Sequence, residues 1–318
     1  MLTPAVQLLH PQVRELVEQR GWKLTPVQEA ATADLVEGEN RILVAPTGSG
    51  KTEAAVLPIA SRALKEEWSS LSILYITPLR ALNRDIDRRL VNLLEPLGIS
   101  VGLRHGDTSQ KERTKQSKNP PNLLVTTPET AQIMLLGSRL RKHLAGVKAV
   151  ILDEVHDLAA SERGAQLLIG LERISALEGS SGKFQRVGLS ATVGNPDEVA
   201  NWMSDGAKPI FGPAPRTTKV TVHRETPTAE DDLLAGEWAI SPKSIAALRH
   251  LAQTLIEDSP SLVFVNSRST AETVAQRLAS IVPEIQVGVH HGSLAAETRR
   301  EMEAVSYTHL TLPTIYSV

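Results

Sequence analysis

Residues 41–52 read RILVAPTGSGKT, and this stretch decides the fold. A short, largely apolar run comes first, a glycine-rich turn follows at Gly48-Ser49-Gly50, and a helix-compatible stretch begins at Lys51. A strand that leads into a glycine-rich turn and then a helix is the context of a phosphate-binding loop. A plain Gly-Ser turn before an ordinary helix is the alternative, and the Gly-Lys-Thr ending after a strand disfavours it.

The chemistry of this loop predicts a bound nucleoside triphosphate. Gly48 and Gly50 let successive backbone N–H groups point inward around phosphate oxygens, and the following helix N-terminus adds partial positive charge. Lys51 supplies a cation for the β and γ phosphates, while the Thr52 hydroxyl reaches Mg²⁺. Ala45 replaces the usual first glycine, which matters little because the tight turn lies later in the loop. The residues expected at the nucleotide are Thr47, Gly48, Ser49, Gly50, Lys51 and Thr52.

Short apolar runs rich in Ile, Val and Leu recur along the chain, and helix-like stretches follow them. Buried parallel strands with crossover helices give this pattern. It predicts an α/β fold, with a doubly wound parallel-sheet domain followed by the start of a second. The runs assigned to the first domain are 41–45, 71–77, 123–126, 149–152 and 186–189, and those assigned to the second are 262–265 and 287–289.

A stretch rich in proline, glycine and acidic residues separates the two sets of runs, over residues 211–241. Such a composition is typical of an interdomain connection. We therefore expect a first domain over 1–212, a linker over 213–241 and the start of a second domain over 242–304. Residues 305–318 (VSYTHLTLPTIYSV) do not continue the preceding helix-like pattern, and we expect an atypical tail that is truncated or foreign.

The composition is that of a soluble globular protein. The chain has 318 residues with 41% hydrophobic content, enough to bury cores in roughly two domains. It lacks a membrane-length apolar run and a signal peptide pattern, so a cytoplasmic protein without a membrane partner is expected. The absence of cysteine excludes disulfides and thiolate zinc sites. Neither His156 nor the His290-His291 pair has further ligands at metal-binding spacing.

An acidic pair, Asp153-Glu154, follows the apolar run at 149–152, at the strand end where open parallel sheets bind ligands. An aspartate there can hold Mg²⁺, and an adjacent glutamate can orient and deprotonate the attacking water. Taken alone, Asp-Glu after a strand is most often a solvated turn. Here it comes after a phosphate loop and before Ser190-Ala191-Thr192, and this order favours a phosphoryl-transfer site.

In this order the motifs resemble those of superfamily 2 helicases of the DExH type. The resemblance implies a RecA-like fold for both domains and a catalytic set comprising Lys51, Asp153, Glu154 and His156. It makes Asp153, with Thr52, the Mg²⁺ ligand and Glu154 the catalytic base, and it makes His156 the link to the next motif. Ser190 and Thr192 match that motif, which couples the ATP state to domain closure.

The segment LTPVQ at residues 24–28 is similar to the Q motif of this family. The resemblance implies that Gln28 reads the adenine edge, so ATP is expected over GTP. A helix N-cap at Thr25 with Pro26 in the first position is compatible with this role.

Two further segments, TPLRAL at 77–82 and TTPE at 126–129, resemble motifs Ia and Ib, which contact the sugar-phosphate backbone. Hydroxyls, backbone N–H groups and arginine bind phosphates without reading bases. The basic excess between residues 80 and 118 agrees, although the chain has a net charge of −2 and a charge run alone is usually a solvated helix face. Aromatic residues are only 3%, which disfavours a base-stacking module. The residues expected to contact single-stranded or forked DNA or RNA are Thr77, Pro78, Arg80, Arg84, Gly106, Thr127, Pro128 and Glu129.

Longer strings, such as DEVHDLAASERGAQL at 153–167 and LSATVGNPDEVA at 189–200, resemble the large helicase-related (Lhr) group. The resemblance covers residues 24–200 closely and implies the core of an ATP-dependent helicase on DNA or RNA. LVFVNSR at 262–268 and HHGS at 290–293 fit the start of the second domain. Because motif V and the arginine-rich motif VI do not follow, we expect an N-terminal fragment of the core that binds ATP weakly, with little hydrolysis and no unwinding.

Two alternatives stay open at this point. A nucleotide-gated clamp would bind nucleic acid without unwinding it, and a phosphate-loop ATPase with another substrate would show no stimulation by polynucleotide. The sequence leaves open the DNA or RNA preference, the polarity, the accessory domains and the oligomeric state.

Overall fold

The computed structural model describes residues 3–78, 83–191, 193–212, 221–257, 261–291 and 293–294, without the side chains of residues 83–85, 138 and 139. The chain divides into two compact units, Met1–Arg216 and Thr217–Val318. Each unit is described separately below. Across the described residues, no helix combines the length and the apolar character that crossing a membrane requires.

The first unit is built on a seven-stranded sheet in which all neighbouring strands run parallel. The strand order is β3-β4-β2-β5-β6-β1-β7, which confirms the predicted doubly wound arrangement. The strands are β1 (Arg41–Val44), β2 (Ile73–Ile76), β3 (Val101–Arg104), β4 (Leu123–Thr126), β5 (Ala149–Leu152), β6 (Gln185–Ser190) and β7 (Lys208–Phe211).

Helices cover both faces of this sheet, and proline or a capping side chain marks the start of many of them. Proline occupies the first turn of five, where a missing N–H costs nothing. The helices are α1 (Pro4–Leu8), α2 (Pro11–Gln19), α3 (Pro26–Val36), α4 (Lys51–Lys65), α5 (Asn83–Leu94), α6 (Gln110–Lys118), α7 (Pro128–Leu136), α8 (Ser138–Leu144), α9 (Val155–Ala159), α10 (Glu162–Ser175) and α11 (Pro196–Met203), with a 3₁₀ turn at Glu95–Leu97.

Alternate side chains of each central strand enter two different cores. In β2, Ile73 and Tyr75 pack with α2 to α5 on one face, while Leu74 and Ile76 pack with α7, α8 and α10 on the other. All four are essentially inaccessible to solvent. A fully buried side chain of this size contributes about 1.5–3 kcal/mol. The central strands are therefore continuous apolar runs in the sequence because both of their faces are covered.

The two edge strands, β3 and β7, were not among the predicted runs. Residues of β3 are all half-buried, and β7 has an exposed residue at each end, so neither shows a continuous apolar run. Pro209 has no backbone N–H to donate. It is compatible with an edge strand because the outer side of such a strand forms no hydrogen bonds with a neighbouring strand. The sheet is thus two strands wider than the sequence pattern indicates.

The second unit is helical in its described part, with α12 (Ala229–Trp238), α13 (Pro242–Glu257) and α14 (Arg268–Ile281). The acidic cluster that the composition assigns to a linker begins α12. There the Thr228 hydroxyl accepts from the backbone of Asp231, whose carboxylate accepts from the Thr228 N–H. Leu248, Ala252, Leu255, Leu278 and Val282 form a small core between α13 and α14.

The prediction of strands at 262–265 and 287–289 is wrong, because neither segment has regular secondary structure. A strand exists only where its N–H and C=O groups pair with a neighbour. In the described part of this unit, the two segments form no ladder with each other or with another strand. Apolar β-branched residues alone do not supply that partner.

Gly164, in the first turn of α10, lies so close to α9 that a side chain has no room. A Cβ there would lie 1.9 Å from the Leu158 carbonyl oxygen and 2.9 Å from the Trp202 ring. We expect Gly164→Ala to lower the free energy of unfolding by about 1–3 kcal/mol, since rigid backbone must move. Urea unfolding followed by circular dichroism measures this change.

Gly170→Ala is the matched control, in the same helix. The three atoms nearest its Cβ would all belong to the Gln132 side-chain amide, which can rotate away, so a clearly smaller decrease is expected. Equal stabilities of the Gly164 and Gly170 variants would contradict the packing argument.

Candidate nucleotide-binding site

The carboxyl ends of β1, β5 and β6 lie next to one another at one edge of the sheet. Val44 pairs with Ser190, and Leu152 pairs with Gly188, so the three strands end in near alignment. The phosphate loop follows β1, the acidic pair follows β5, and Ser190 ends β6. Three motifs that are far apart in sequence are therefore neighbours in space.

The phosphate loop adopts the backbone conformation that its glycines allow. Gly48 and Gly50 have φ angles of 76° and 85°, in the left-handed region, and Gly50 is the residue before α4. A Cβ at Gly50 would lie 2.4 Å from Nε2 of Gln28, so a side chain is excluded by sterics as well as by φ.

The segment that contains Gln28 is bound directly to the phosphate loop. The Thr25 hydroxyl donates to the Ser49 carbonyl at 2.8 Å, and Gln28 Nε2 donates to the Gly50 carbonyl at 3.1 Å. The Oε1 atom of Gln28 accepts from the Thr25 N–H at 2.9 Å, which completes a capping box at the start of α3. Gln28 thus lies against the phosphate loop, with both ends of its amide bound to backbone.

Lys51 is folded over the loop that precedes it. Its Nζ donates to the carbonyl oxygens of Ala45 at 2.6 Å and Pro46 at 3.0 Å. Burial lowers the pKa of Lys51, and the nearby charges of Glu154 and Asp153 oppose this decrease. The lysine and the two carboxylates therefore share one electrostatic environment.

Asp153 is held by two hydrogen bonds. Its Oδ2 accepts from the Tyr75 hydroxyl at 2.7 Å, and its Oδ1 accepts from the Glu154 N–H at 3.0 Å. Burial raises the pKa of Asp153, while the Tyr75 and Glu154 hydrogen bonds and the Lys51 charge act in the opposite direction. The net direction is upward, and a further cation bound at Asp153 would favour its charged form.

Tyr75 is a residue of this site that the sequence analysis missed. It lies in β2, next to β5, with its ring in the core and its hydroxyl at Asp153. Burial, then the charge of Asp153, raises the pKa of Tyr75 well above its ordinary value, and hydrogen bonding to the Thr52 side chain opposes this. The phenol therefore stays protonated and donates to Asp153. Through its hydrogen bonds, Tyr75 joins Asp153 to Thr52, the two residues expected to hold Mg²⁺. A lone tyrosine in an otherwise aliphatic strand was the available signal.

Glu154 has an unusual backbone conformation and a perturbed carboxylate. Its φ and ψ are 46° and 47°, in the left-handed region that non-glycine residues seldom adopt, and it precedes α9. Burial and the negative charge of Asp153 both raise its pKa. A carboxylate whose pKa is raised in this way is a stronger base than an ordinary glutamate.

His156 connects the acidic motif to the end of β6. Its Nδ1 lies 3.0 Å from the Ser190 hydroxyl and 3.6 Å from a carboxylate oxygen of Glu154. His156 thus lies between the expected base and the expected coupling motif, hydrogen-bonded to Ser190 and within ion-pair distance of Glu154. Thr192, the other residue of that motif, lies outside the described residues.

The expected nucleic-acid contacts at Thr77, Pro78, Thr127, Pro128 and Glu129 follow β2 and β4, which are also neighbours. The Thr77 N–H donates to the Thr126 carbonyl at 3.0 Å. The Thr127 hydroxyl caps α7 by accepting from the Thr130 N–H at 3.3 Å. The described residues that follow these two strands therefore lie at the same edge of the sheet, where Thr77 and Thr127 are buried.

Arg163, which the sequence analysis did not select, bridges these loops. It donates to the Pro78 carbonyl at 3.3 Å and forms an ion pair with Glu129 at 2.6 Å. Burial raises the pKa of Glu129, but the hydrogen bond and charge of Arg163, together with hydrogen bonds from the backbone and Thr127, hold it below its usual range. The sequence signal that could have identified Arg163 was its place in the string at 153–167, which resembles the Lhr group.

Part of the basic region is used inside the protein. Arg113 donates to the carbonyls of Thr108 at 2.9 Å and Gly106 at 2.7 Å, and so holds the loop after β3. The expected contact residue Gly106 is thereby held in place by Arg113. Arg80 lies outside the described residues, and the side chain of Arg84, in α5, does too.

This chain is similar to known proteins across the residues that form this site. The chain matches the DEAD/DEAH box helicase family over residues 25–199, more than half of its length. ATP-dependent helicase Lhr-Core of Methanothermobacter thermautotrophicus is 36% identical over 326 residues, covering 93% of this chain and 36% of the relative. Lhr-Core of Sulfolobus acidocaldarius is 35% identical, covering 94% of this chain and 36% of the relative. The chain thus spans little more than a third of the length of these curated relatives.

A solved structure shows the same fold. The Mycobacterium smegmatis helicase Lhr bound to ssDNA and AMP-PNP is 33% identical, with a TM-score of 0.79, over 96% of this chain and 41% of that chain. The parallel sheet is thus the RecA-like helicase fold that the motifs implied. Because the family match extends from the segment of Gln28 past the end of β6, and so takes in the whole strand edge described above, the chain belongs to the DEAD/DEAH box helicase family.

Proposed function

We propose that this chain is the ATP-binding part of a nucleic-acid helicase, in which ATP hydrolysis drives translocation on, or unwinding of, DNA or RNA. The observation that carries the proposal is the convergence of Lys51, the Asp153-Glu154 pair and the His156–Ser190 link at one sheet edge. We further propose the division into a first domain over 1–212, a linker over 213–241 and a second domain from 242.

The residues present fit ATP and Mg²⁺. The buried Ser49 hydroxyl, within the phosphate loop, has no hydrogen-bond partner among the described residues, so an acceptor such as a phosphate oxygen would satisfy it. Thr52 and Asp153 offer the oxygen ligands that Mg²⁺ prefers. When bound, the metal would neutralise charge on the phosphates. Lys51 would leave the Ala45 and Pro46 carbonyls for phosphate oxygens, because a charge-assisted bond is stronger.

Glu154 would then orient and deprotonate water for attack on the γ-phosphate. Tyr75 keeps Asp153 in one orientation, and His156 transmits the position of Glu154 to Ser190. Catalysis of phosphoryl transfer depends mainly on such positioning and on charge neutralisation.

The nucleic acid would run along the loops after β2 and β4. The buried Thr77 hydroxyl lacks a hydrogen-bond partner among the described residues, and a backbone oxygen of a nucleic acid would satisfy it only if the chain that covers it moved. We propose that Thr77, Pro78, Arg80, Arg84, Gly106, Thr127, Pro128 and Glu129 form this surface for single-stranded or forked DNA or RNA. The ssDNA and AMP-PNP named for the mycobacterial Lhr structure support the ligand classes.

Lys51→Ala should weaken the binding of ATP with Mg²⁺ by roughly 10- to 100-fold, because it removes one charge-assisted interaction with phosphate, of about 1.5–3 kcal/mol. Isothermal calorimetry measures the affinity. Lys65→Ala, at the exposed end of the same helix, removes an equal charge and should bind like the parent. Equal affinity of the Lys51 variant and the parent would refute the assignment.

In an intact parent that carries the whole helicase core, Glu154→Gln should keep ATP–Mg²⁺ affinity within a few fold of the unmutated protein. It should lower turnover by about 10²- to 10⁴-fold, since it removes a general base and leaves Asp153 in place. The measurements are calorimetric affinity and ATP hydrolysis with excess single-stranded DNA or RNA. An unchanged turnover would remove Glu154 from the mechanism. Turnover insensitive to polynucleotide in the parent would favour a phosphate-loop ATPase with another substrate.

Replacing Arg80 and Arg84 together by Ala should weaken binding to unrelated single strands by similar factors. The slope of log affinity against log salt should fall by roughly one unit for each phosphate that the protein no longer neutralises. Fluorescence anisotropy over a salt series measures both quantities. The double variant at Arg141 and Lys142, two exposed residues of α8, is the control of equal charge. A decrease that depended on base sequence would contradict backbone recognition.

A further inference from the structure

Two histidines and a glutamate of the second unit converge on one point. Nδ1 of His250 lies 3.2 Å from a carboxylate oxygen of Glu225, and the His223 and His250 ring centroids are 4.4 Å apart. One ligand atom from each of the three residues lies within 4.8 Å of the others. Such a set is absent from the sequence-based expectations, which considered only His156 and the His290-His291 pair.

We propose that His223, Glu225 and His250 bind a zinc ion. Imidazole nitrogen with one carboxylate oxygen is a ligand set that zinc accepts, with three protein ligands and a fourth position open to water. Two ligand atoms on a tetrahedral zinc ion, each about 2.0–2.1 Å from it, lie roughly 3.3 Å apart. The separation between His250 and Glu225 therefore already matches a shared metal. Rotation of the exposed His223 side chain brings in the third ligand.

The backbone presents the three ligands from two different elements. His223 and Glu225 are two residues apart in a segment without regular secondary structure, and a ligand atom of each lies within 4.8 Å of one from His250. His250 lies within α13, whose helical backbone fixes the position of its Cβ. The metal would therefore join the segment before α12 to α13 and hold that segment in place.

Neighbouring charges permit a dication. Arg249, next to His250 in sequence, pairs with Asp231 at 3.0 Å, so its charge is compensated. Glu225 has a half-buried side chain and supplies negative charge at the site itself. An ordinary His–Glu ion pair with a stacked second imidazole is the competing explanation, and it would bind no metal.

Another histidine of this unit gives a useful contrast. Nε2 of His291 lies 2.9 Å from the Glu272 carboxylate, but no third ligand from the described residues joins this pair. A two-ligand pair binds a transition metal weakly, since structural and catalytic zinc sites use three or four protein ligands. We therefore expect one tight site, at His250.

The test is a titration of the full 318-residue chain with Zn²⁺, and separately with Co²⁺, in buffer without nucleotide and with excess Mg²⁺. Magnesium occupies oxygen-ligand sites, which leaves imidazole sites for the transition metal. We expect one equivalent of Zn²⁺ to bind per chain. Bound Co²⁺ should give the visible absorption spectrum that is typical of a Co²⁺ ion with a low coordination number. His250→Ala and Glu225→Gln should each lower the affinity for Zn²⁺ by more than about 100-fold. Loss of a residue that only hydrogen-bonds to a metal ligand costs about 10–100-fold in metal affinity, and loss of the ligand itself should cost more.

His143→Ala, in the first unit, is the control and should bind like the parent. Circular dichroism with chelator present checks that the His250 and Glu225 variants are folded, and Glu225→Gln preserves the side-chain shape. Absence of tight binding, or binding that both variants retain, would overturn the proposal and leave the ion pair.

Discussion

Parallel pairing of β1 and β5 with β6 between them is the constraint on which the rest of the site depends. Parallel strands expose all their carboxyl ends at one edge, so residues that follow these three strands must meet there. The pairing of Val44 with Ser190 fixes how far each strand extends. The phosphate loop, the acidic pair and the His156 link take their positions from this sheet and not from their own loops.

The charges at this edge are tolerable because they compensate one another. Isolated buried charges are costly, and burial shifts the pKa values of Lys51, Asp153 and Glu154 toward their neutral forms. Lys51 opposes the shift of both carboxylates, and they oppose its own. Tyr75 adds a hydrogen bond from the core side of the sheet. The proposed ATP and Mg²⁺ would add an anion and a cation to this set of opposing charges.

The sequence predicted the interior of the first unit well and its margins poorly. Strands covered on both faces are continuous apolar runs, so β4 and β5 were predicted with their observed bounds. Edge strands lack that signal, and β3 and β7 were missed. The motif residues lie at the expected edge of the sheet because they follow the ends of parallel strands. Tyr75 and Arg163 were missed because they contact Asp153 and Pro78, residues that are far from them in the sequence. In the second unit, the apolar run at 262–265 indicated a strand, but pairing depends on a partner that local sequence does not encode. The same holds for His250, whose two neighbours lie a whole helix away in the chain.

The register of β6 against β1 also restricts which insertions and deletions the gene can accept. A one-residue insertion within β6, before Leu189, would place Leu189 where Ser190 lies and move the serine to the position of Ala191. His156 would then face an aliphatic side chain. An insertion in the exposed turn at residues 178–182, before β6, would leave the pairing unchanged. Length variation among homologues should therefore accumulate in that turn and be absent from the six residues of the strand.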